Sequence, residues 1–403
     1  MHAFTLEIGR VGGSLRGVAA GAGRVVSAIT VGSTTTIEAR TGAQLAWHAD
    51  LDGRGGPLAI DEASGLVLAT VSGTGHVATR PVRGEPSAAL VALDVTTGAT
   101  RWIRPFEASE WSVVSALAIA PDGLLVGGAF SGSLRIGAKV VTSAGKSDGF
   151  VAKLTTAGEV AWLVRLGGAN ADAVQGVAVR GARIAIAGTY ASTAELLGTP
   201  LPAFDEKTPF TDGFVAELDA TGARTWVATF GGKDNESVAG VAIDDAGRVV
   251  VAATARDVVH VGGTDLTAQG PGDGLVAWWA ADASFLHATL LGGAELDGLS
   301  GIAAVGEHVV VGGFYSGTLR LGDRDLTAGG GDDAFLVALD VRATVLEAWP
   351  VRGEGREEIV AIAPAPDGFI AGLAHTAAAT VDGDPLPAPS DRDPASGAAL
   401  IVR

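Results

Sequence analysis

Asp148-Gly149-Phe150-Val151-Ala152-Lys153-Leu154 decides the fold, because the chain writes it again and again. It returns as Asp212-Gly213-Phe214-Val215-Ala216-Glu217-Leu218, as Asp273-Gly274-Leu275-Val276-Ala277 and as Asp333-Ala334-Phe335-Leu336-Val337-Ala338-Leu339. Weaker copies are Ala88-Ala89-Leu90-Val91-Ala92-Leu93 and the chain end Gly397-Ala398-Ala399-Leu400-Ile401-Val402. After the strand comes a turn and then a strand with Trp, as in Thr97-Gly98 to Trp102, Ala157-Gly158 to Trp162 and Thr221-Gly222 to Trp226. Trp47 and Trp349 sit one residue later, and His287 takes the place in the sixth unit. A Gly-Gly loop and two Val/Ala/Ile strands complete each unit. Four short strands per unit, over seven units of about 60 residues, predict an all-β, seven-bladed β-propeller of four-stranded antiparallel blades.

The units run approximately over 1–42, 43–98, 99–158, 159–222, 223–283, 284–344 and 345–403, as one domain. The first lacks the Asp-Gly-Phe-Val strand before it, and the last ends on that strand. Phe4 to Ile8 is therefore expected to supply the outermost strand of the last blade, a one-plus-three closure.

Composition points the same way. With 59 Gly and only 18% charged residues, the chain has material for tight turns and for strands covered on both faces. Runs such as Arg248-Val249-Val250-Val251-Ala252-Ala253 are continuous rather than alternating, as strands between neighbouring sheets should be. Leu196 to Thr211 and Asp382 to Ser396 read as long projecting loops.

Mean hydropathy is +0.34, yet Gly and charges punctuate every long apolar run, so membrane insertion is not expected. Met1-His2 runs straight into a strand without a signal peptide, which fits a cytoplasmic protein or a mature domain whose leader is gone. Zero Cys removes disulfides and thiolate chemistry. A net charge of −17 argues against nucleic acid and favours a cationic ligand, a metal ion or a basic surface.

The ordered motifs resemble the SBBP-type propeller repeats of large secreted bacterial proteins, most closely over residues 99–344. That resemblance implies an extracytoplasmic scaffold or binding module. Leu93-Asp94-Val95-Thr96-Thr97-Gly98 through Trp102, and Leu218-Asp219-Ala220-Thr221-Gly222 through Trp226, are also similar to the blade motif of quinoprotein dehydrogenases and their non-enzymatic relatives. In those relatives the Trp docks one blade on the next. The cysteine pair found in many quinoproteins is absent here.

Trp at one place in five units reads as inter-blade packing. Trp111, placed in a loop, and the pair Trp278-Trp279 read as the candidates for an exposed aromatic contact, for instance with a sugar face. The connector into each inner strand carries the only patterned chemistry. One position reads Gly13, Arg54, Ser112, Asp172, Glu236, Asp297 and Glu357 through the units, and two residues earlier stand Val11, Asp52, Glu110, Asn170, Asp234, Glu295 and Gly355. The later units would thus give an anionic mouth suited to Ca²⁺ or an ammonium group. Alternatively each acid bonds backbone N–H groups in its own connector, and Asp148, Asp212, Asp273 and Asp333 are turn residues.

No His-x-x-x-His spacing or Gly-x-Ser-x-Gly elbow occurs. The expected function is a non-catalytic binding or scaffold module using loops on one face, as a monomer, with a protein or polysaccharide partner and no required cofactor. Asp172, Asp234, Glu236, Glu295, Asp297, Glu357 and Trp111 are its candidate ligand-binding residues. A carbohydrate- or cation-binding module with Ca²⁺ at the acidic mouth, and a propeller-type hydrolase or lyase drawing on two of the acids, are the alternatives.

Overall fold

The computed structural model describes residues 3–7, 13–74, 76–77, 80–81, 87–192, 194–204, 210–366, 368–386 and 396–402. His2, Ile8, Val11 and the parts 205–209 and 387–395 of the two long loops lie outside the described residues. Among those described every element is a strand, and no helix is long and apolar enough to cross a membrane. The fold is of the all-β propeller type, and the chain divides into two compact units, Met1–Leu15 with Ala228–Arg403, and Arg16–Val227.

In a complete repeat four strands follow one another antiparallel, as in Trp111–Ala120, Gly123–Ser131, Asp148–Leu154 and Val160–Gly168. The third strand is the quoted motif, and every residue of Asp148–Leu154 is buried. Continuous burial explains why Val, Ala and Phe follow one another without polar alternation: both faces are covered, and small side chains let the faces approach. Phe150 anchors this packing, its ring 5.8 Å from that of Phe106 and 6.2 Å from that of Phe130. A fully buried Phe contributes about 2–3 kcal/mol.

The expectation of a seven-bladed propeller of four-stranded blades is corrected by the sheet topology. Three of the sheets have four strands, four have six, and two further ribbons have two. The extra strands come from the segment between the second and third strands of a repeat, which folds as a hairpin and pairs with the outer strand of the repeat before it. Ser133–Ile136 thus pairs with Thr100–Ala108, and Ala194–Leu196 with Val160–Gly168. Leu196 to Thr211, expected as a loop, begins inside such a ribbon, and Ala379–Val381 with Asp384–Pro385 forms another on Val345–Gly353.

Ala3–Glu7 lies at the edge of a sheet whose order continues Ser396–Val402, Gly368–His375 and Glu357–Ala365. The N-terminal strand therefore completes the C-terminal repeat, as the incomplete ends of the sequence required.

Tryptophan ties repeat to repeat. Trp47 Nε1 donates to Val95 O at 2.9 Å, Trp102 Nε1 to Thr156 O at 2.9 Å and Trp162 Nε1 to Ala220 O at 3.0 Å. Each indole covers the turn glycine of the next repeat. A Cβ on Gly98, Gly158 or Gly222 would sit 2.5, 2.9 or 3.0 Å from the ring, and all three have positive φ. Glycine is thus required twice over at these turns. Trp278 and Trp279, expected to include an exposed contact, are each only 1% exposed, because neighbouring side chains cover both sides of strand Asp273–Trp279. Trp279 packs edge-on against Phe285 at 5.8 Å.

Candidate functional site

The patterned acids sit where the third strand of one repeat starts beside the first strand of the next. Asp172 follows Asp148 by 24 residues, and the same interval separates Glu236 from Asp212, Asp297 from Asp273 and Glu357 from Asp333. Backbone bonds fix the two starts side by side. Asp172 N donates to Ser147 O at 3.0 Å, Asp297 N to Gly272 O at 2.9 Å and Glu357 N to Asp332 O at 2.8 Å. The register then shifts two or more residues further on, between Val174 and Gly176, Leu299 and Gly301, and Ile359 and Ala361. Such a bulge re-aims the side chains at the strand start.

Asp172, Glu236, Asp297 and Glu357 are all buried, at 3%, 2%, 0% and 0% exposure. Asp172 accepts from Gly168 N at 2.6 Å and from Ala191 N at 3.1 Å. Asp297 repeats this with Gly293 N at 2.6 Å and Ser316 N at 3.2 Å. These carboxylates brace their own connectors by bonding backbone N–H groups. Ser112 does the same without charge: its Oγ accepts from Ala88 N at 3.1 Å and donates to Phe106 O at 2.8 Å.

The strand-start aspartates are the other half of the arrangement, which a reading as simple turn residues missed; the constant interval of 24 was the available signal. Asp148, Asp212, Asp273 and Asp333 are buried, and their Oδ2 atoms accept from Ala144 N, Phe204 N, Gln269 N and Gly329 N at 2.8 to 3.2 Å. Two carboxyls therefore meet where Asp148 faces Asp172, Asp273 faces Asp297 and Asp333 faces Glu357, and burial favours the protonated form. Burial pushes Asp172 up to about 6, against which its two amides and Arg165 pull down while Asp148 adds to the rise. Asp297 is pushed up to about 7 by burial, with Asp273 and Glu295 adding to it. Glu357 is pushed up to about 8 by burial and by the Asp333 carboxyl beside it.

The remaining candidates are more accessible. Asp234 is half-buried and its Oδ1 accepts from Asn235 N at 2.7 Å, whereas Glu295 is exposed. Trp111 is not in a loop: it opens strand Trp111–Ala120, opposite Ser131, and is half-buried. Among the described residues no three His, Asp or Glu side chains stand together as a metal-binding group. A cavity of about 520 Å³ within residues 16–227 opens beside Asp61, Ser64 and Thr156, with Ile119, Pro121 and Val179 as apolar lining. Asp61 already accepts from Ser64 N at 3.3 Å.

No family model matches the chain, and no curated protein matches it. Among solved structures, a chain of Kuenenia stuttgartiensis hydrazine synthase aligns with a TM-score of 0.54 at 11% identity, over 91% of this chain and 94% of that one. The WD40 β-propeller domain of Doa1 aligns at 0.49 and 11% identity, over 99% and 96%, and the Dos1 propeller at 0.48 and 10%, over 96% and 77%. At 11% identity the similarity to hydrazine synthase is one of fold alone.

Proposed function

We propose that this chain is a non-catalytic binding module that holds a protein partner on rigidly presented strand starts and loops. The observation that carries the reading is the outward side of strand Trp111–Ala120. Trp111 is half-buried and Val113 is 36% exposed, while Ser112 and Val114 between and after them are buried. An indole and a branched aliphatic group thus face solvent together on a strand whose other side is packed. Aromatic anchors of this kind dominate protein interfaces, and a strand already fixed by its pairing with Gly123–Ser131 loses little entropy when a partner docks. The buried acids support the reading from the other direction, since Asp172 and Asp297 are engaged with backbone amides.

The test is quantitative capture with the intact chain beside Trp111→Ala and Val113→Ser, both first shown to keep the wild-type melting temperature. The reading expects a protein retained by wild type and lost at least about tenfold by either variant, the effect of removing roughly 1.4 kcal/mol of contact. An identical captured set would contradict it. Trp111 beside the polar Glu110 and Ser131 also favours a second reading, a polysaccharide partner stacking on the indole. Binding on a glycan panel that Trp111→Ala abolishes would select that reading instead.

A further inference from the structure

We propose that Asp333 and Glu357 form a proton-held latch, which fastens the connector 353–357 to the start of strand Asp333–Leu339 and releases it as the pH rises. Glu357 is fully buried, and neither Oε1 nor Oε2 meets an N–H or O–H donor. The group within hydrogen-bonding reach of it is the Asp333 carboxyl. Two carboxylates in that position repel and have nothing to accept from each other. With one proton between them, the Glu357 O–H donates to an Asp333 oxygen and the pair becomes attractive.

Among the described residues no cation pairs with either carboxyl to replace that proton. Asp333 accepts from Gly329 N at 2.8 Å, from Gly353 N at 3.4 Å and from Tyr315 Oη at 3.5 Å. Burial drives the Tyr315 phenol up to about 12, so it stays a neutral donor. Arg352 reaches the Tyr315 hydroxyl and is exposed. Arg356 points to Asp332 at 3.4 Å and Glu358 at 4.0 Å. His375, opposite Glu357 in the neighbouring strand, turns its Nδ1 to Ala377 O at 3.0 Å. Glu354, the last ionisable group of the connector, is exposed.

Geometry also commits Glu357 to this place. Its carboxylate lies over Gly353, where a Cβ would come 2.6 Å from Oε1. The latch therefore holds Gly353, whose N–H is bonded to Asp333, and Glu357, whose N–H is bonded to Asp332 O, in one unit. On deprotonation the proton leaves to solvent, two buried charges face each other, and the connector is pushed off the strand start.

The experiment is a melting-temperature series on the intact chain from about pH 6 to about pH 9, in chelator, with wild type and Glu357→Gln. Gln keeps the shape and donates an N–H to Asp333 at every pH. Wild type should lose at least roughly 2–4 °C across the range, and the variant should show a flatter profile and melt higher than wild type at the alkaline end. Wild-type amide exchange at Gly353 and Glu357 should accelerate at the alkaline end beyond its intrinsic base dependence. An unchanged slope in Glu357→Gln, or exchange that follows the intrinsic dependence alone, would overturn the latch. So would a rise in wild-type melting temperature that Glu357→Gln lacks when calcium replaces the chelator, because a cation would then be holding the pair.

Discussion

At the junction of Asp148 and Asp172, Arg165 reaches the Asp148 carboxylate from the neighbouring strand, where it stands opposite Phe150. At the junction of Asp333 and Glu357, the residue opposite Phe335 in the same register is Pro350. The backbone frame is common to both: the first-strand acid donates its N–H to the residue before the aspartate, over 3.0 Å in one and 2.8 Å in the other. The difference lies in what neutralises the pair. In the first an arginine and two amides stabilise charge, and Asp172 rises only to about 6. In the second Glu357 receives no amide and faces Asp333 alone, and it rises to about 8. The junction of Asp273 and Asp297 falls between, with two amides on Asp297, Leu290 in the place of the arginine, and a value of about 7. One backbone design thus accepts either a salt bridge or a proton, and the choice sets how stability responds to pH.

Removing the arginine should have the largest effect. Arg165→Leu leaves Asp148 and Asp172 buried without a counter-charge and should cost about 3–5 kcal/mol near neutral pH, measured by urea unfolding. The loss should shrink towards about pH 5, where the pair can take up a proton as Asp333 and Glu357 do.

Wild type should show the proton-held junctions directly. A carboxyl raised in the fold binds its proton more tightly there than in the unfolded chain. Stability is therefore full below the unfolded value near pH 4, falls as the pH climbs, and is lost once the folded value is passed. Asp172, Asp297 and Glu357 set that window between about pH 4 and about pH 8. Each pH unit over which one carboxyl is ionised only in the unfolded chain subtracts about 1.4 kcal/mol, so the three groups together should subtract several kcal/mol by about pH 9. Turn acids act in the opposite sense. Hydrogen bonds from Thr221 and Ala223 hold Asp219 below its ordinary value, so its contribution disappears only as the pH drops through the acid range. A urea-stability profile that rises from about pH 5 to about pH 9 would break the comparison.

Converting the second junction into the first should sharpen it. Pro350→Arg puts a guanidinium opposite Phe335 and should raise stability by about 1 kcal/mol at about pH 8, with little change at about pH 5, in the same unfolding assay. Ser112→Ala provides the neutral reference. It removes two hydrogen bonds from a buried hydroxyl and should cost about 1–2 kcal/mol at every pH tested.

Much of this frame is legible in the sequence because it repeats. The Asp-Gly-Phe-Val strand, the Gly beneath each docking Trp and the acids at one connector position recur, and recurrence marks them as structural. The ribbons were illegible for a physical reason. Ala194–Leu196 and Thr199–Leu201 are too short to show a strand period, and their pairing partner, Leu166 to Gly168, belongs to the preceding repeat. The burial of the acids was hidden too, since an anionic connector reads as a solvent-facing mouth until its amide partners are known. Trp278 and Trp279 misled through alternation: the two rings do point to opposite sides, but both sides are packed.

The most direct measurement is a carboxyl ¹³C titration of Glu357 in the folded chain, assigned by its loss in Glu357→Gln. The account predicts a protonated carboxyl through neutral pH that titrates near its value of about 8. A Glu357 signal already ionised at about pH 6, titrating in the ordinary carboxylate range, would contradict it.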